Sequence, residues 1–290
     1  NPIVAKVIDA AEVDTVVHMG VIATPVQAGG RMSMKEINVI GTMQLLAACQ
    51  KSPSVSKLVV KSSTSIYGAG PKDPAMFTEE MEPKHTPGSG WAKDSVEVES
   101  YVRGFARRRP DVSVTTLRFA NFLGPRVETP MSSYFELPVI PTLLGHDARL
   151  QFIHEDDGLE ALRQATIDEH PGMFNVAGDG IILLTQAARR AGRPTISLPA
   201  SRAGLVGAII RRLGLADFSP EQVRFLPYGR GVDTTRMRTV FGFTPQHTTP
   251  ETFDAFVRSR RLNRMLPPER VEAVEEQLVS LLTGRGVVNG

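Results

Sequence analysis

The sequence predicts an α/β fold, a doubly wound parallel sheet with a smaller, discontinuous α/β lobe beside it. Three observations carry that prediction. Short apolar runs at Asp14–Met19 and Lys57–Val60 have the pattern of buried parallel strands, and Val112–Leu117 alternates as a strand does. Between them lie segments with helical apolar spacing, Met34–Gln50 and Trp91–Arg107. The run from Lys57 ends in Ser62, Ser63, Thr64 and Ser65, which places hydroxyls at the carboxyl end of a strand. Open α/β sheets bind their ligands there.

Taken in order, the chain opens with a helix over Pro2–Ala11, marked by Ile3, Val4, Val7 and Ile8. The Asp14–Met19 strand leaves through Gly20. In the Met34–Gln50 helix, Ile37, Ile40, Leu45 and Leu46 form the apolar stripe. Gly41 inside it costs about 1 kcal/mol relative to alanine, so close backbone packing is its expected reason. A Pro-rich, acidic loop follows the central strand. The next helix turns Val96, Val98, Val102 and Phe105 inward and ends at Arg107, where cations suit the helix dipole. Beyond the Val112 strand the pattern mixes short strands with helices at 182–191, 202–213 and 220–226. An amphipathic helix is expected over 267–282, with Val271, Val274 and Leu278 on one side.

Composition excludes several classes of function. The 290 residues are 41% hydrophobic and 22% charged, ordinary for a globular chain with a sizeable core. A net charge of +2 gives a nucleic-acid or anionic-membrane partner no electrostatic support. The single Cys49 cannot form an intramolecular disulfide, and no apolar run approaches the ~18 residues of a membrane span. A cytoplasmic setting is therefore expected. The six histidines are scattered without ligand spacing, so no metal site is expected. There is no Gly-x-Ser-x-Gly elbow for a hydrolase.

Several ordered motifs resemble the extended short-chain dehydrogenase/reductase family, in its NAD-dependent epimerase/dehydratase branch of UDP-glucose 4-epimerase-like proteins. They are Asn38-Val-Ile-Gly41-Thr42, Ser62-Ser-Thr-Ser-Ile-Tyr67-Gly68, Leu117-Arg-Phe-Ala-Asn121-Phe-Leu-Gly124-Pro125, Phe152-Ile-His154-Glu-Asp-Asp157 and Phe174-Asn175-Val-Ala-Gly178. A tail at Asp233…Arg236-Met-Arg238…Pro245 completes the series. The resemblance implies a Rossmann-type fold and NAD or NADP as cofactor. It also implies a nucleotide-sugar or related small-molecule substrate, and a homodimer paired through the two long helices. By its residue pattern Ser63 is the catalytic hydroxyl and Lys93 the lysine of a Tyr-x-x-x-Lys pair, where Lys93 also meets the cofactor ribose. His18, Met19, Gly20, Asn38 and Ser62 fall at cofactor positions, and Ser65, Tyr67, Asn121 and Arg236 at substrate positions. Arg238 is a second candidate for a diphosphate. His154 and Asp157 organise the junction of the lobes or bind ligand.

Two parts of the family pattern are missing. Four residues before Lys93 stands Ser89 where the family has its tyrosine, and a serine hydroxyl is a far weaker acid than a phenol. Tyr67, His85 or a water held by Ser89 and Lys93 are the substitutes within reach. The glycine-rich dinucleotide fingerprint is also absent upstream of Asp14, and Gly204-Leu-Val-Gly207 is an incomplete version in the wrong place. The resemblance implies that the chain begins about 70 residues into the family's order, so that an N-terminal part covers the Asp14–Met19 edge. The expected division is 1–120 plus 151–180 for the dinucleotide domain, 121–150 plus 181–266 for the substrate lobe, and 267–290 for a terminal helix and tail. The expected function is an NAD(P)-dependent oxidoreductase of the epimerase/dehydratase type. The alternative is a dinucleotide-binding sensor or scaffold that has lost turnover.

Overall fold

The computed structural model describes residues 2–20, 22, 28–82, 87–88, 90–199, 220–262, 270–271 and 274–275. Among these the order begins α1 (Pro2–Ala10), β1 (Thr15–His18), α2 (Arg31–Lys35), a π-helical turn (Glu36–Ile40), α3 (Gly41–Lys51) and β2 (Lys57–Ser63). A 3-10 turn (Thr64–Tyr67) leads towards α4 (Gly90–Arg108), then β3 (Ser113–Phe119), β4 (Asn121–Leu123), α5 (Pro130–Phe135) and β5 (Ile140–Leu143). The rest runs β6 (Arg149–Leu150), β7 (Phe152–His154), α6 (Glu155–Ile167), β8 (Gly172–Val176), β9 (Ile182–Leu183), α7 (Leu184–Arg190), β10 (Thr195–Leu198) and α8 (Pro220–Tyr228). Two further helices, α9 (Thr235–Thr239) and α10 (Thr249–Arg260), follow.

β1, β2, β3 and β8 form one parallel sheet in that order, with Val60 opposite both His18 and Thr116. Alternation along β2 sorts its side chains. Leu58 and Val60 join Leu46, Cys49, Val98 and Phe105 in the core under α3 and α4. Val59 turns the other way, into the core of Leu117, Ile153, Ala161 and Phe174 beneath α6. Lys57 shares that second face and donates to the carbonyls of Thr166, Ile167 and Asp168 at 3.1, 3.3 and 3.0 Å. A cation there satisfies the terminal acceptors of α6 and suits its dipole. A third core, containing Tyr134, Phe135, Phe152, Phe253 and Phe256, lies among the short strand pairs β4–β7, β5–β10 and β6–β9. No helix among the described residues is long and apolar enough to cross a membrane.

The expected Met34–Gln50 helix is continuous but widens into a π turn at Glu36–Ile40, and Asn38 explains the widening. Its amide accepts from Ile22 N at 2.8 Å and donates to Ile22 O at 3.0 Å and Asp94 Oδ2 at 3.1 Å. The wider turn brings this buried side chain to three partners. Gly41 lacks the packing reason expected for it: a Cβ there would meet nothing nearer than Glu36 O at 3.8 Å. Gly204–Gly207 lie outside the described residues, as does the 267–282 helix apart from 270–271 and 274–275.

Candidate functional site

The carboxyl ends of β2 and β3 open onto a cavity of about 150 Å³. Lys61, Ser63, Asn121, Trp91 and Ser95 are among its lining residues, with Phe119, Phe122 and Met131 as the apolar wall. Lys61 and Ser63 reach it because they follow Val59 on the α6 face of β2. Ser63 also starts the 3-10 turn, its Oγ accepting from Ser65 N at 3.1 Å. A second cavity adjoins the first, sharing Trp91, Asn121 and Met131. Ser65, Phe225 and Arg230 line it. The Ser65 hydroxyl is buried there without a hydrogen-bond partner, a costly state that a ligand oxygen would relieve. Arg230 is held in place by a 2.9 Å bond to Gly68 O.

Helix α4 presents a different pair of residues from the one its letters suggest. Trp91 and Ser95, four apart on one face, line the cavity, whereas Lys93 lines neither cavity. At ~100° per residue, Lys93 points some 200° away from Trp91. Ser89 and His85 lie outside the described residues. The Ser95 hydroxyl donates to Trp91 O at 2.9 Å, so neither cleft-facing residue of α4 offers an acid–base group.

Ser62 also lines the first cavity, while its hydroxyl donates to Glu99 Oε1 at 2.6 Å. Three further expectations are corrected. Tyr67 is 1% exposed, stacks on Phe77, donates to Asn175 Oδ1 at 2.8 Å and accepts from Arg118 at 2.8 Å. Burial raises its phenol pKa, opposed by Arg118, so it is neither a substrate contact nor a ready proton source. Asn38 is fully committed to Ile22 and Asp94. Arg236 sits outside both cavities, paired with Glu80 at 2.9 Å, and Arg238 pairs with Asp179.

Around these residues runs a buried polar network. Arg118 donates to Glu99 through Nε at 3.0 Å and a terminal nitrogen at 2.7 Å. It also reaches Glu79 O at 2.9 Å. Burial opposes the Arg118 charge, but the Glu99 bonds outweigh it and its pKa is raised. On the α2 side, Arg31 grips fully buried Asp94 with two bonds of 2.6 and 2.7 Å. His154 stacks on His247, which bonds Asp157 Oδ2 at 3.0 Å, fixing α6 to the segment before α10.

At the end of β1, Met19 and Gly20 are exposed, and nothing lies within 4 Å of where a Gly20 Cβ would be. His18 is buried, its Nε2 lying 2.8 Å from Thr42 Oγ1. That hydroxyl already donates to Asn38 O at 2.6 Å, so His18 Nε2 is the donor. Burial, chiefly, holds the His18 pKa below the usual 6.5. The same holds for His154. Both groups therefore support the fold above pH 6.5 and withdraw that support as pH falls through their lowered values. A His18→Gln variant, which binds no proton, is expected to lose less stability than the wild type between about pH 7 and pH 5 in denaturant titrations. Equal losses would count against this assignment.

Lys61, Trp91, Ser95 and Arg230 are cleft residues that motif spacing does not pick out. Residues 1–177 match the NAD dependent epimerase/dehydratase family. The chain is 45% identical over 281 residues to an uncharacterised protein of Mycobacterium tuberculosis (strain ATCC 25618 / H37Rv), covering 97% of this chain and 75% of that protein. Among solved structures, the UDP-glucose 4-epimerase of Thermotoga maritima with UDP-glucose superposes with a TM-score of 0.66 at 17% identity, covering 90% of this chain and 81% of that one. The UDP-glucose 4-epimerase of Thermus thermophilus, in complex with NAD, gives 0.66 at 20% identity, covering 89% and 81%. The fold, the ordered motifs and the match across more than half the sequence agree: the chain belongs to the NAD dependent epimerase/dehydratase family.

Proposed function

We propose that this chain binds NAD and acts as an oxidoreductase of the epimerase/dehydratase type on a hydroxyl or carbonyl of a nucleotide-sugar or related ligand. The observation behind this reading is the cavity that places Ser63, Asn121 and Lys61 together at the carboxyl ends of β2 and β3. The residues suit the nicotinamide-ribose end of a dinucleotide. Met19 and Gly20 offer an open strand exit, and no carboxylate is among the lining residues of the 150 Å³ cavity to repel phosphate. When bound, the dinucleotide supplies a hydride acceptor. Ser63 orients the ligand hydroxyl, and Ser65, Asn121 and Arg230 hold the rest of the ligand on the substrate lobe, 121–150 plus 181–266. The dinucleotide takes 1–120 plus 151–180. Exposed Ile37, Ile40 and Met43, with Tyr101 on α4, support pairing of two copies through these helices.

A second reading has its own observation. Trp91 and Ser95 stand on the α4 face where a tyrosine–lysine pair would serve turnover, which favours a dinucleotide-binding protein without catalysis. One experiment addresses both. Denaturing the purified protein is expected to release NAD, identified by mass spectrometry; a chain that neither releases nor binds a dinucleotide sinks both readings. The Trp91→Tyr, Ser95→Lys double variant then separates them. A large gain in hydride transfer supports the second reading, and no gain or a loss supports the first.

A further inference from the structure

Among the described residues lining the 150 Å³ cavity, Lys61 alone carries a charge in its usual form. It makes no hydrogen bond or ion pair among the described residues. Its Nζ lies over a ring, 5.6 Å from the centroid of Phe122. Among the described residues the neighbouring elements offer it no counter-charge: β1 contributes His18, which carries no negative charge in either protonation state, and α4 contributes Trp91 and Ser95. The nearby carboxylates of α6 are engaged elsewhere, Glu155 by Arg126 at 2.8 Å and Asp157 by His247. Burial without a partner disfavours the ammonium form and lowers the Lys61 pKa. In its deprotonated form the amine has a lone pair to offer the cavity.

Lys61 and Ser63 project from the same face of β2. The Ser63 oxygen already accepts from Ser65 N, so its proton is free to meet a ligand oxygen. We propose that Lys61 is the proton acceptor for a ligand hydroxyl held against Ser63, so that strand β2, and not helix α4, carries the acid–base group of this cleft. This rests on the oxidoreductase reading above. The hydroxyl O–H bond breaks, its electron pair remains on oxygen to become the carbonyl π bond, and the proton joins the Nζ lone pair as ammonium. The hydride leaving the same carbon goes to the oxidised nicotinamide dinucleotide of that reading.

The first test needs no turnover. Trace acetylation of the whole chain with acetic anhydride, from about pH 6 to about pH 11, is followed at each lysine by peptide mass spectrometry. Lys61 is expected to reach half-maximal labelling at a lower pH than a free lysine derivative added as internal standard. Titration alongside that standard, or no labelling of Lys61 at any pH, overturns the proposal. Hydride transfer from a panel of UDP-sugars is then measured for wild type, Lys61→Arg and Lys61→Gln, with released dinucleotide quantified in each. Arginine keeps the charge but cannot give up its proton. Both variants are expected to retain dinucleotide and to lose transfer by about 10²–10³-fold, and ethylamine is expected to restore part of it in Lys61→Ala. Transfer that survives in Lys61→Arg, or a wild type that transfers nothing, overturns the proton-acceptor role. A low-titrating Lys61 in a chain without dinucleotide sinks the oxidoreductase reading and leaves the basic amine standing.

Discussion

Replacing Arg118 with methionine is expected to lower the free energy of unfolding by about 3–5 kcal/mol. The reason is what remains behind. Glu99 is 3% exposed, and without Arg118 its carboxylate keeps, among the described residues, the Ser62 hydroxyl and the half-exposed Arg103 at 3.6 Å. Tyr67 and the Glu79 carbonyl lose a donor in the same change. A drop in melting temperature on the order of 10 °C would follow. Two signatures separate a stranded charge from simple loss of packing. The Arg118→Met, Glu99→Leu double variant should be more stable than Arg118→Met alone, because the uncompensated carboxylate is gone. The deficit of the single variant should also shrink as pH falls. An isolated buried carboxylate has a raised folded pKa, so proton uptake favours the folded state. A double variant no better than the single would refute the account.

The second large effect is expected at Gly229. Its φ of +63° lies in the left-handed region, where a side chain costs about 1–2 kcal/mol. The larger obstacle is contact: an added Cβ would fall 2.0 Å from Arg149 O and 2.4 Å from Arg149 N. Those are backbone atoms, fixed by the bond from Arg230 N to Arg149 O at 2.8 Å and by the pairing of β6 with β9. Gly229→Ala is therefore expected to cost more than about 4 kcal/mol, or to prevent folding. Gly145→Ala is the control. Its φ is +79°, but nothing lies within 4 Å of the added Cβ, so it should lose only about 1–2 kcal/mol. Similar melting temperatures for the two variants would show that the Arg149 contact does not matter. Because Gly229 sets the position of Arg230, a tolerated substitution there should also disturb the second cavity.

The central strand β2 was legible because it is buried on both faces and its apolar run is continuous, and β3 because its residues alternate before the turn. Ser63 was legible because alternation and strand ends are local properties. The α4 face was misread for a physical reason: matching letters at fixed spacing does not fix the phase of a helix. The information was present, since Trp91, Ser95, Val98, Val102 and Phe105 follow one 4-3-4-3 stripe, and the last three are core residues. Lys93 is off that stripe. Tyr67 was misplaced because the 3-10 turn carries it onto Phe77 of the following loop and against Asn175 of β8, and that second partner lies far along the chain. Asn38 was misassigned because its π turn answers to Ile22 and Asp94. Ser62 and Ser63 are neighbours in sequence yet face opposite ways, and only the alternation from Leu58 onward separates them.

The position of Trp91 has an optical consequence. It is the sole tryptophan in the sequence, and it lines both cavities. Emission excited at the red edge of protein absorbance therefore comes from the site itself. Reduced nicotinamide absorbs where indole emits, so a dinucleotide arriving beside this ring would quench it by energy transfer and glow in return. The molecule carries its own titration signal, without a dye or a label.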